Sequence, residues 1–291
     1  MPIQYKILDG KKAAEFIIAD VNREITEILD KTPRELPKLG VILVGDNPAS
    51  ESYVKNKIGA CQKAGINHML VKLDSDISEN ELMEVIYSMN CDKSITGFIV
   101  QLPLPNHIDV NSIVDAIDPE KDVDGFHPIN FGKTALGLPS MRPATPYGIL
   151  KLIKFNKIET KGKHVVIVGR SNIVGKPLSI MLGNDFEIGR ATVTSCDINT
   201  PRDLLLSELK RADIIIIAVG KPNFLTGDMV KDGVIVIDVG INRVDGKIIG
   251  DVNFESVVKK CSLITPVPGG VGPMTISALI VNTLNAWKKL T

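Results

Sequence analysis

Short apolar runs rich in Val and Ile alternate along this chain with segments in which apolar residues recur at helical spacing. Short continuous apolar runs are typical of strands buried in a parallel sheet, because helices cover both faces of such a strand. The pattern therefore predicts an α/β fold with parallel sheets and crossover helices.

In the first half of the chain, this pattern predicts three strands, each preceded by a helix. The expected elements are, in order, a helix at 10–29, a strand at 39–44, a helix at 48–64, a strand at 67–73, a helix at 78–89 and a strand at 96–101. A stretch rich in Pro and Gly follows at 102–142, where we expect loops and one short helix near 110–117.

The second half repeats the alternation in an order typical of a Rossmann-like nucleotide-binding domain. The expected elements are a strand at 163–168, a helix at 175–182, a strand at 191–195, a helix at 201–209, strands at 213–219 and 234–239, and a final helix at 275–287. We expect a first domain at 1–144, a Rossmann-like domain at 145–274, and a C-terminal segment, 275–291, that packs back on the first domain. A ligand cleft is expected between the two domains.

The composition is that of an ordinary globular chain, and it limits the partners. Among 291 residues, 34 Lys and Arg balance 34 Asp and Glu, and 44% of the residues are hydrophobic. A balanced charge gives no electrostatic footprint for nucleic acid or for an acidic membrane surface. We therefore expect a small-molecule partner, and neither nucleic acid nor a membrane.

The sequence has neither a recognisable targeting signal nor a cysteine framework. Its first ten residues lack the apolar core of a signal peptide, and the densest apolar run, 214–219, is far shorter than a membrane span of about 20 residues. Cys61, Cys91, Cys196 and Cys261 are widely spaced and are expected to be buried as small hydrophobic residues. The expected location is the cytoplasm.

Tyr53 and Lys57 lie four residues apart in the predicted helix 48–64, so they share one face of that helix. Asn47 and Pro48 are suited to its N-cap and first position. A phenol and an amine would then meet at the edge of the core. The spacing also fits a solvated lysine that extends past a packed tyrosine, which is the commoner arrangement on helices.

Further polar candidates follow the predicted strand 96–101. Gln101 stands at the carboxyl end of that strand, where open parallel sheets place their ligands. Its amide could orient a substrate or a lysine, or bond the local backbone. Asp122 and Asp124 alternate in a loop that contains glycine, where ligand binding and turn formation both remain open.

The strand 163–168 runs into Gly169-Arg170-Ser171 and then into a helix that begins at Gly175. A glycine turn between a strand and a helix N-terminus is a suitable context for phosphate binding. The spacing is not GxGxxG, because Ser171 replaces the second glycine and Gly175 comes late, and it is not Walker A, because Pro177 follows the Lys. We expect a nucleotide site at this turn.

The end of the next strand determines how a dinucleotide ribose is recognised. An acid there binds the 2′-hydroxyl of NAD, whereas an Arg can bind the 2′-phosphate of NADP. Asp197 follows the strand, Arg170 lies in the preceding glycine turn, and Arg190 comes just before the strand. These residues alone leave NAD and NADP both open.

The remaining chemistry-bearing residues show no pattern of a metal or serine-nucleophile site. The spacing of His68, His107, His127 and His164 matches none of the ligand patterns of metal sites. The GxSxG pattern is absent around Ser171. We therefore expect no metal.

Five segments, VGDNPASESYVKNK, GFIVQLPLP, KDVDGFHPIN, GRSNIVGKP and TPVPGGVGPMT, together resemble the bifunctional methylenetetrahydrofolate dehydrogenase/methenyltetrahydrofolate cyclohydrolase family in sequence, order and spacing. The similarity spans nearly the whole chain. It implies oxidation of 5,10-methylenetetrahydrofolate to the methenyl form with NADP, and hydrolysis of that product to 10-formyltetrahydrofolate. It also implies a homodimer, and a reaction that requires no metal.

The resemblance assigns roles to residues on the folate side. Lys57 matches the essential cyclohydrolase lysine, and Tyr53 matches the residue that stacks on the substrate. Gln101 matches the amide that holds the lysine, and Asp124 matches the carboxylate that binds the pterin. The family's glycine-rich folate loop matches Pro268, Gly269, Gly270, Pro273 and Thr275.

On the cofactor side, the resemblance places Gly169, Arg170 and Ser171 in the dinucleotide loop. Ile241 matches a backbone contact near the nicotinamide. Both motifs are intact in this sequence.

The ribose end departs from the family pattern. Many NADP-dependent members have a Cys-His-Ser run after the second strand of this domain, whereas this chain has Cys196-Asp197-Ile198. The segment 183–190 before that strand also looks longer than usual. Asp197 is therefore a candidate cofactor contact, and we expect NADP, with NAD as the alternative.

A lysine that acts as a general base at neutral pH must give up a proton that it ordinarily holds with a pKa near 10.4. Partial burial and the positive charge of a methenyl substrate both disfavour an ammonium group. We expect Lys57, positioned by Gln101 and Tyr53, to activate or orient the water that attacks the methenyl carbon.

Two other functions are compatible with parts of the sequence. Another two-domain nicotinamide dehydrogenase, acting on shikimate or an amino acid, shares the expected architecture but lacks the YxxxK and QLPLP motifs. A non-catalytic folate or dinucleotide sensor would keep the site and form no product.

Overall fold

The structure of the protein is a computed structural model that describes residues 5–184 and 188–290. The chain forms two compact units. The three-stranded unit comprises residues 15–144 and 276–291, and the six-stranded unit comprises residues 1–14 and 145–275. The expected domain limits stay a prediction: a first domain at 1–144, a second at 145–274, and a segment, 275–291, that packs on the first domain. Residues 1–4 and 291 of those ranges lie outside the described residues.

The first half of the chain alternates helices and strands. Its elements are β1 (Lys6–Ile7), α1 (Gly10–Lys31), β2 (Lys38–Val44), α2 (Pro48–Ala64), β3 (Asn67–Leu73), α3 (Glu79–Cys91), β4 (Gly97–Val100), α4 (Val110–Ala116) and α5 (Pro128–Ala135).

The second half continues the alternation. Its elements are α6 (Ala144–Phe155), β5 (His164–Val168), α7 (Gly175–Gly183), β6 (Thr192–Cys196), α8 (Arg202–Arg211), β7 (Ile214–Ile217), β8 (Ile235–Asp238), β9 (Asn242–Val244), β10 (Lys247–Ile249), α9 (Phe254–Val257), β11 (Leu263–Ile264) and α10 (Val271–Lys289). A 3₁₀ turn, Gly227–Met229, precedes β8.

Within the described residues, the three-stranded unit contains one parallel sheet with the strand order β3-β2-β4. Leu39 and Val41 of the central strand are fully buried, and they belong to one apolar cluster with Ile25 of α1, Val54 of α2 and Trp287 of α10. The C-terminal helix is therefore part of this unit's core.

Helix α2 begins and ends at residues whose local chemistry favours those positions. The Asn47 side chain accepts hydrogen bonds from the backbone N–H groups of Ala49 and Ser50, and Pro48 occupies the first helical position. The helix ends at Gly65, whose φ of 72° is a left-handed conformation that glycine adopts at little cost. These two caps fix the register of the face that carries Tyr53 and Lys57.

In the described residues of the six-stranded unit, the strands of the main sheet are parallel and follow the order β1-β11-β8-β7-β5-β6. From β5 the chain moves to β6 on one side and then crosses to β7 on the other. Open α/β sheets bind ligands outside the carboxyl ends of the strands at such a reversal. The turns that follow β5 and β7 therefore border the expected cofactor crevice.

These sheets confirm the predicted α/β class with parallel strands. Two helices that were not predicted, α5 and α6, and one that begins earlier than predicted, α10, each have a proline in the first turn. α5 begins at Pro128, α6 contains Pro146 as its third residue, and α10 begins at Val271, four residues before the predicted start, with Pro273 in its first turn. A proline there lacks only an N–H that has no partner within the helix. Treating these prolines as interruptions was wrong.

The expectation for the cysteines holds for three of them and is wrong for the fourth. Cys61, Cys196 and Cys261 are buried, whereas Cys91, the last residue of α3, is exposed. Burial raises the pKa of Cys61 to about 12 and that of Cys261 to about 11. Both thiols are therefore poor nucleophiles.

Among the helices in the described ranges, none has the length and apolarity needed to cross a bilayer.

The turn after β5 requires glycine at two positions. Gly169 has a φ of 121°, and a Cβ placed on it would lie 2.2 Å from the carbonyl oxygen of Ala218, just after β7. A Cβ on Gly175, the first residue of α7, would lie 1.8 Å from the carbonyl oxygen of Gly169. The spacing of these glycines follows from this close packing of turn and helix.

Replacing Gly175 with Ala should therefore overpack the turn and lower the free energy of unfolding by about 1–3 kcal/mol. The matched control is Gly183→Ala at the other end of α7, where no atom of the described residues lies within 4 Å of the added Cβ. The control should leave stability unchanged or raise it by up to about 1 kcal/mol, because Ala favours helix. Urea unfolding of both variants tests this. A Gly175→Ala variant as stable as the unaltered protein would contradict the close approach of Gly175 to the carbonyl oxygen of Gly169.

Candidate active site

Lys57 is the central residue of the candidate site. Its side chain lies on the buried face of α2 and is 6% exposed. The Nζ atom donates a hydrogen bond of 3.0 Å to Oε1 of Gln101. Tyr53, one turn earlier on the same helix, is half-buried. Lys57 is therefore a buried, hydrogen-bonded lysine, and the arrangement with a solvated lysine is excluded.

Gln101 is held from both ends at the edge of the sheet. Its backbone N–H donates to the carbonyl of Ile42 on β2, and its side-chain Nε2 donates to the carbonyl of Leu102 at 2.6 Å. With Nε2 engaged by the local backbone, Oε1 is directed at Lys57. Both roles considered for this amide are therefore present together.

Asp122 organises the loop after β4. It is 2% exposed. Its two carboxylate oxygens accept hydrogen bonds from the backbone N–H groups of Gly125, Phe126 and His127, and from the Asn130 side chain. With four donors already bound, this carboxylate serves the loop and not a ligand.

Asp124 has a different environment from Asp122. Burial raises the pKa of the Asp124 carboxyl, the positive charge of Lys57 acts against this rise, and the negative charge of Asp122 adds to it. The loop thus places one carboxylate in a structural network and brings the other within electrostatic reach of Lys57. A hydrogen bond joins Lys57 to Gln101, and the charge of Lys57 acts on Asp124; that the three residues form one site stays a prediction.

Asn282 of α10 is a residue that the sequence analysis missed. Its Nδ2 donates to the carbonyl oxygens of Val123 and Arg142, each at 2.8 Å, and the side chain is 1% exposed. Gly97 of β4 also packs against Val123, since an added Cβ would lie 2.4 Å from its Cγ1 atom. The residue before Asp124 therefore contacts both a strand and the C-terminal helix.

The residues of the expected folate loop belong to the six-stranded unit. Gly269 has a φ of 106°, and its carbonyl accepts a hydrogen bond of 3.0 Å from the N–H of Gly10. Gly270 follows, and α10 begins one residue later. Thr275, in the second turn of α10, shares a hydroxyl hydrogen bond of 3.1 Å with Thr145. Pro268 and Pro273 flank the turn, and the role of these residues stays a prediction.

The N-terminus of α7 suits a phosphate group. Val174 precedes the helix, and among the described residues no side chain caps its first turn. The hydroxyl of Ser171 accepts from the Val174 N–H at 3.1 Å, which tightens the turn. Gly169 and Gly175 let the turn pack closely against the carbonyl oxygens of Ala218 and Gly169, and the N-terminus of the helix that follows such a turn is a suitable place for a diphosphate. These residues fit a dinucleotide.

Arg170 and Asp197 meet at the end of β6, where the ribose of a dinucleotide is expected. The Arg170 guanidinium donates to the carbonyl of Ser195 and lies 3.3 Å from Oδ2 of Asp197, while Oδ1 accepts from the N–H of Asn199. Both side chains line a cavity of about 470 Å³. Of the long segment expected at 183–190, residues 185–187 lie outside the described residues. The structure thus brings the two competing ribose contacts together.

Ile241 lies just beyond the end of β8 and is 46% exposed. In the ranges 5–184 and 188–290, no group of three or more His, Cys, Asp or Glu side chains is arranged to hold a metal ion.

In the six-stranded unit, the strand order reverses beside β5, and a glycine turn follows that strand. These two features define a dinucleotide-binding α/β protein. The three-stranded unit contains the buried Lys57. Comparisons with known proteins identify the family. The model of the tetrahydrofolate dehydrogenase/cyclohydrolase catalytic domain matches residues 8–124, and that of the NAD(P)-binding domain of the same family matches residues 143–291.

Individual relatives match over nearly their full length. The bifunctional protein FolD 1 of Geobacter metallireducens is 58% identical over 284 residues, which cover 97% of this chain and 98% of the relative. The crystal structure of the bifunctional FolD enzyme from Campylobacter jejuni is 48% identical, with a TM-score of 0.92 and coverage of 98% of this chain and 99% of that chain. The FolD structure from Trypanosoma brucei, complexed with NADP and an inhibitor, is 33% identical, with a TM-score of 0.92 and 99% coverage of both chains.

This chain belongs to the tetrahydrofolate dehydrogenase/cyclohydrolase family. The membership confirms the resemblance found in the sequence. It rules out the alternative of a shikimate or amino-acid dehydrogenase.

Proposed function

We propose that this protein oxidises 5,10-methylenetetrahydrofolate to 5,10-methenyltetrahydrofolate with NADP and hydrolyses the methenyl form to 10-formyltetrahydrofolate. The observation that carries the proposal is the buried hydrogen bond from Lys57 Nζ to Gln101 Oε1, in a site that also includes Asp124. Family membership supports the same conclusion independently.

In the dehydrogenase step, NADP when bound would supply the acceptor for the hydride of the methylene carbon. The protein's part is to bind and align the reactants. Gly169, Ser171 and the first turn of α7 would hold the diphosphate, and Ile241 would border the nicotinamide. No side chain needs to take a proton in this step, since the hydride carries the electron pair of the broken C–H bond.

In the cyclohydrolase step, a water oxygen bonds to the cationic methenyl carbon. The C–N5 bond then breaks, N5 takes one proton, and a second proton is released. Lys57 accepts the proton of the attacking water, because a cationic substrate disfavours a second positive charge beside it. Gln101 positions the amine, Tyr53 stacks on the substrate, and Asp124 accepts hydrogen bonds from the pterin.

The ribose end favours a second cofactor beside NADP. Asp197 offsets the positive charge of Arg170, so a 2′-phosphate has to compete with a carboxylate for the guanidinium. The same carboxylate could accept a hydrogen bond from the 2′-hydroxyl of NAD. NADP is the proposed cofactor, and NAD is the alternative that this ion pair supports.

We further propose a homodimer, as the resemblance to the family implied, and a location in the cytoplasm, as expected from the sequence. β3 is an edge strand, and its Leu70 side chain is 43% exposed, which is consistent with a covered surface. Light scattering of the purified protein tests this assembly.

The overall activity is tested by mixing the purified protein with methylenetetrahydrofolate and NADP, and in parallel with NAD, while reduced cofactor and methenyl product are followed by absorbance. We expect product with NADP. In the variant Asp197→Ser, kcat/KM for NADP should rise relative to that for NAD, because the competing carboxylate is gone. Binding of both ligands without product would contradict the enzyme and favour the sensor.

The lysine assignment is tested by Lys57→Met, which should lower cyclohydrolase kcat by about 10²- to 10⁴-fold through loss of proton transfer. Lys55→Met is the matched control, because Lys55 lies on the same helix and is exposed. The control should keep both activities. Full cyclohydrolase activity in Lys57→Met would show that the lysine is not the base.

A further inference from the structure

Two buried aspartates lie beside the carboxyl ends of β7 and β8, outside the residues discussed so far. Asp238 is the last residue of β8 and is 3% exposed. Asp251, between β10 and α9, is fully buried. A carboxylate this deeply buried is stable only where hydrogen-bond donors surround it.

Asp251 joins two segments that are distant in sequence. Its Oδ2 accepts hydrogen bonds from the N–H groups of Val219 and Gly220, at 2.7 and 2.9 Å, in the turn after β7. Its Oδ1 accepts from Nδ2 of Asn242, at 2.8 Å, at the start of β9. One carboxylate thus holds the turn after β7 against the segment that follows β8.

Asp238 in turn holds the backbone that carries Asp251. Its Oδ1 accepts from the N–H groups of Gly240 and Asp251, at 2.9 and 3.0 Å, and its Oδ2 accepts from the N–H of Val252 at 2.9 Å. The two aspartates therefore form one network, which we call the aspartate pair.

Two glycines allow this network to form. A Cβ on Gly250 would lie 1.8 Å from Oδ2 of Asp238, and a Cβ on Gly240 would lie 2.3 Å from Cγ of Asp251. Each carboxylate is thus packed directly against the main chain, so the strand-end segments cannot shift without breaking its hydrogen bonds.

The aspartate pair lies at the carboxyl ends of β7 and β8, where open α/β sheets bind their ligands. The turns it holds follow β7 and β8, and Ala218 in the first of these turns contacts Gly169 of the phosphate turn. Ile241 follows Gly240 directly, lies beyond the carboxyl end of β8 and is 46% exposed. The pair therefore supports the backbone on the β7 and β8 side of the crevice.

The pair is also costly to keep. All six donors are N–H groups without formal charge. Burial raises the pKa of Asp238 to about 6 despite its three backbone donors, and the negative charge of Asp251 adds to the rise. Carboxylates whose pKa is shifted by burial and a neighbouring charge occur at functional sites more often than elsewhere.

We propose that Asp238 and Asp251 are positioning residues for the dinucleotide: they hold the turns after β7 and β8 in the conformation that binds the cofactor and have no part in the cyclohydrolase step. The inference rests on the proposed function for its dehydrogenase readout. Its primary readout is cofactor binding, which does not require catalysis.

The test is Asp251→Asn, which keeps the shape of the side chain but turns one acceptor into a donor that faces other N–H groups. The Kd for NADPH, measured by fluorescence titration of the full-length protein, should rise at least about tenfold. KM for NADP should rise with it, while cyclohydrolase kcat and KM should stay within about twofold, because in the described residues the Asp251 carboxylate bonds Val219, Gly220 and Asn242 and none of the proposed folate contacts.

Asp245→Asn is the matched control, since Asp245 lies in the turn between β9 and β10 and is exposed. It should leave the Kd unchanged. If Asp251→Asn does not fold, Asn242→Ala removes a single donor from the pair and should raise the Kd in the same direction by a smaller factor.

Four outcomes would contradict the positioning role, the proposed function or both. A folded Asp251→Asn or Asn242→Ala with unchanged Kd and KM for the cofactor would overturn the positioning role. Equal loss of cofactor binding and cyclohydrolase activity would overturn it too, because it would indicate general destabilisation. Tight NADPH binding by the unaltered protein without folate oxidation would refute the proposed function. The positioning role would then be decided by the Kd of the variants for NADPH alone. Absence of NADPH binding would refute both.

Discussion

A buried amine needs a hydrogen-bond partner, and in this protein the bond from Lys57 Nζ to Gln101 Oε1 provides one. That bond joins the inner face of α2 to the end of β4, so the geometry of the folate side depends on how this helix packs on the sheet. Asn47 and Gly65 fix the ends of the helix, and the amide of Gln101 is oriented by the backbone beyond the strand. The amine is thereby held in one place before any substrate arrives.

The parts of this arrangement that follow local rules could be predicted from the sequence. The helix at 48–64 and the strand at 67–73 have the predicted limits, because a proline start, a glycine end and an apolar run mark them directly. Gln101 could be placed at a strand end for the same reason. The proximity of Tyr53 and Lys57 follows from helical spacing alone.

The rest depends on contacts between distant segments. Asp122 and Asp124 are the same residue type in the same loop, and only the folded positions of four donors show that Asp122 is structural. Asn282 lies 159 residues from Val123 in sequence, so no local pattern could pair them. The ion pair of Arg170 with Asp197 likewise joins two turns that the sequence could only present as competitors.

The central claim is that Gln101 contributes to the cyclohydrolase reaction by holding Lys57. A double-mutant cycle of Lys57→Met, Gln101→Leu and the combined variant measures this directly through cyclohydrolase kcat. If the amide acts through the amine, the combined variant should be no slower than Lys57→Met alone. Losses that multiply in the combined variant would show that the two residues act independently, and would contradict the account.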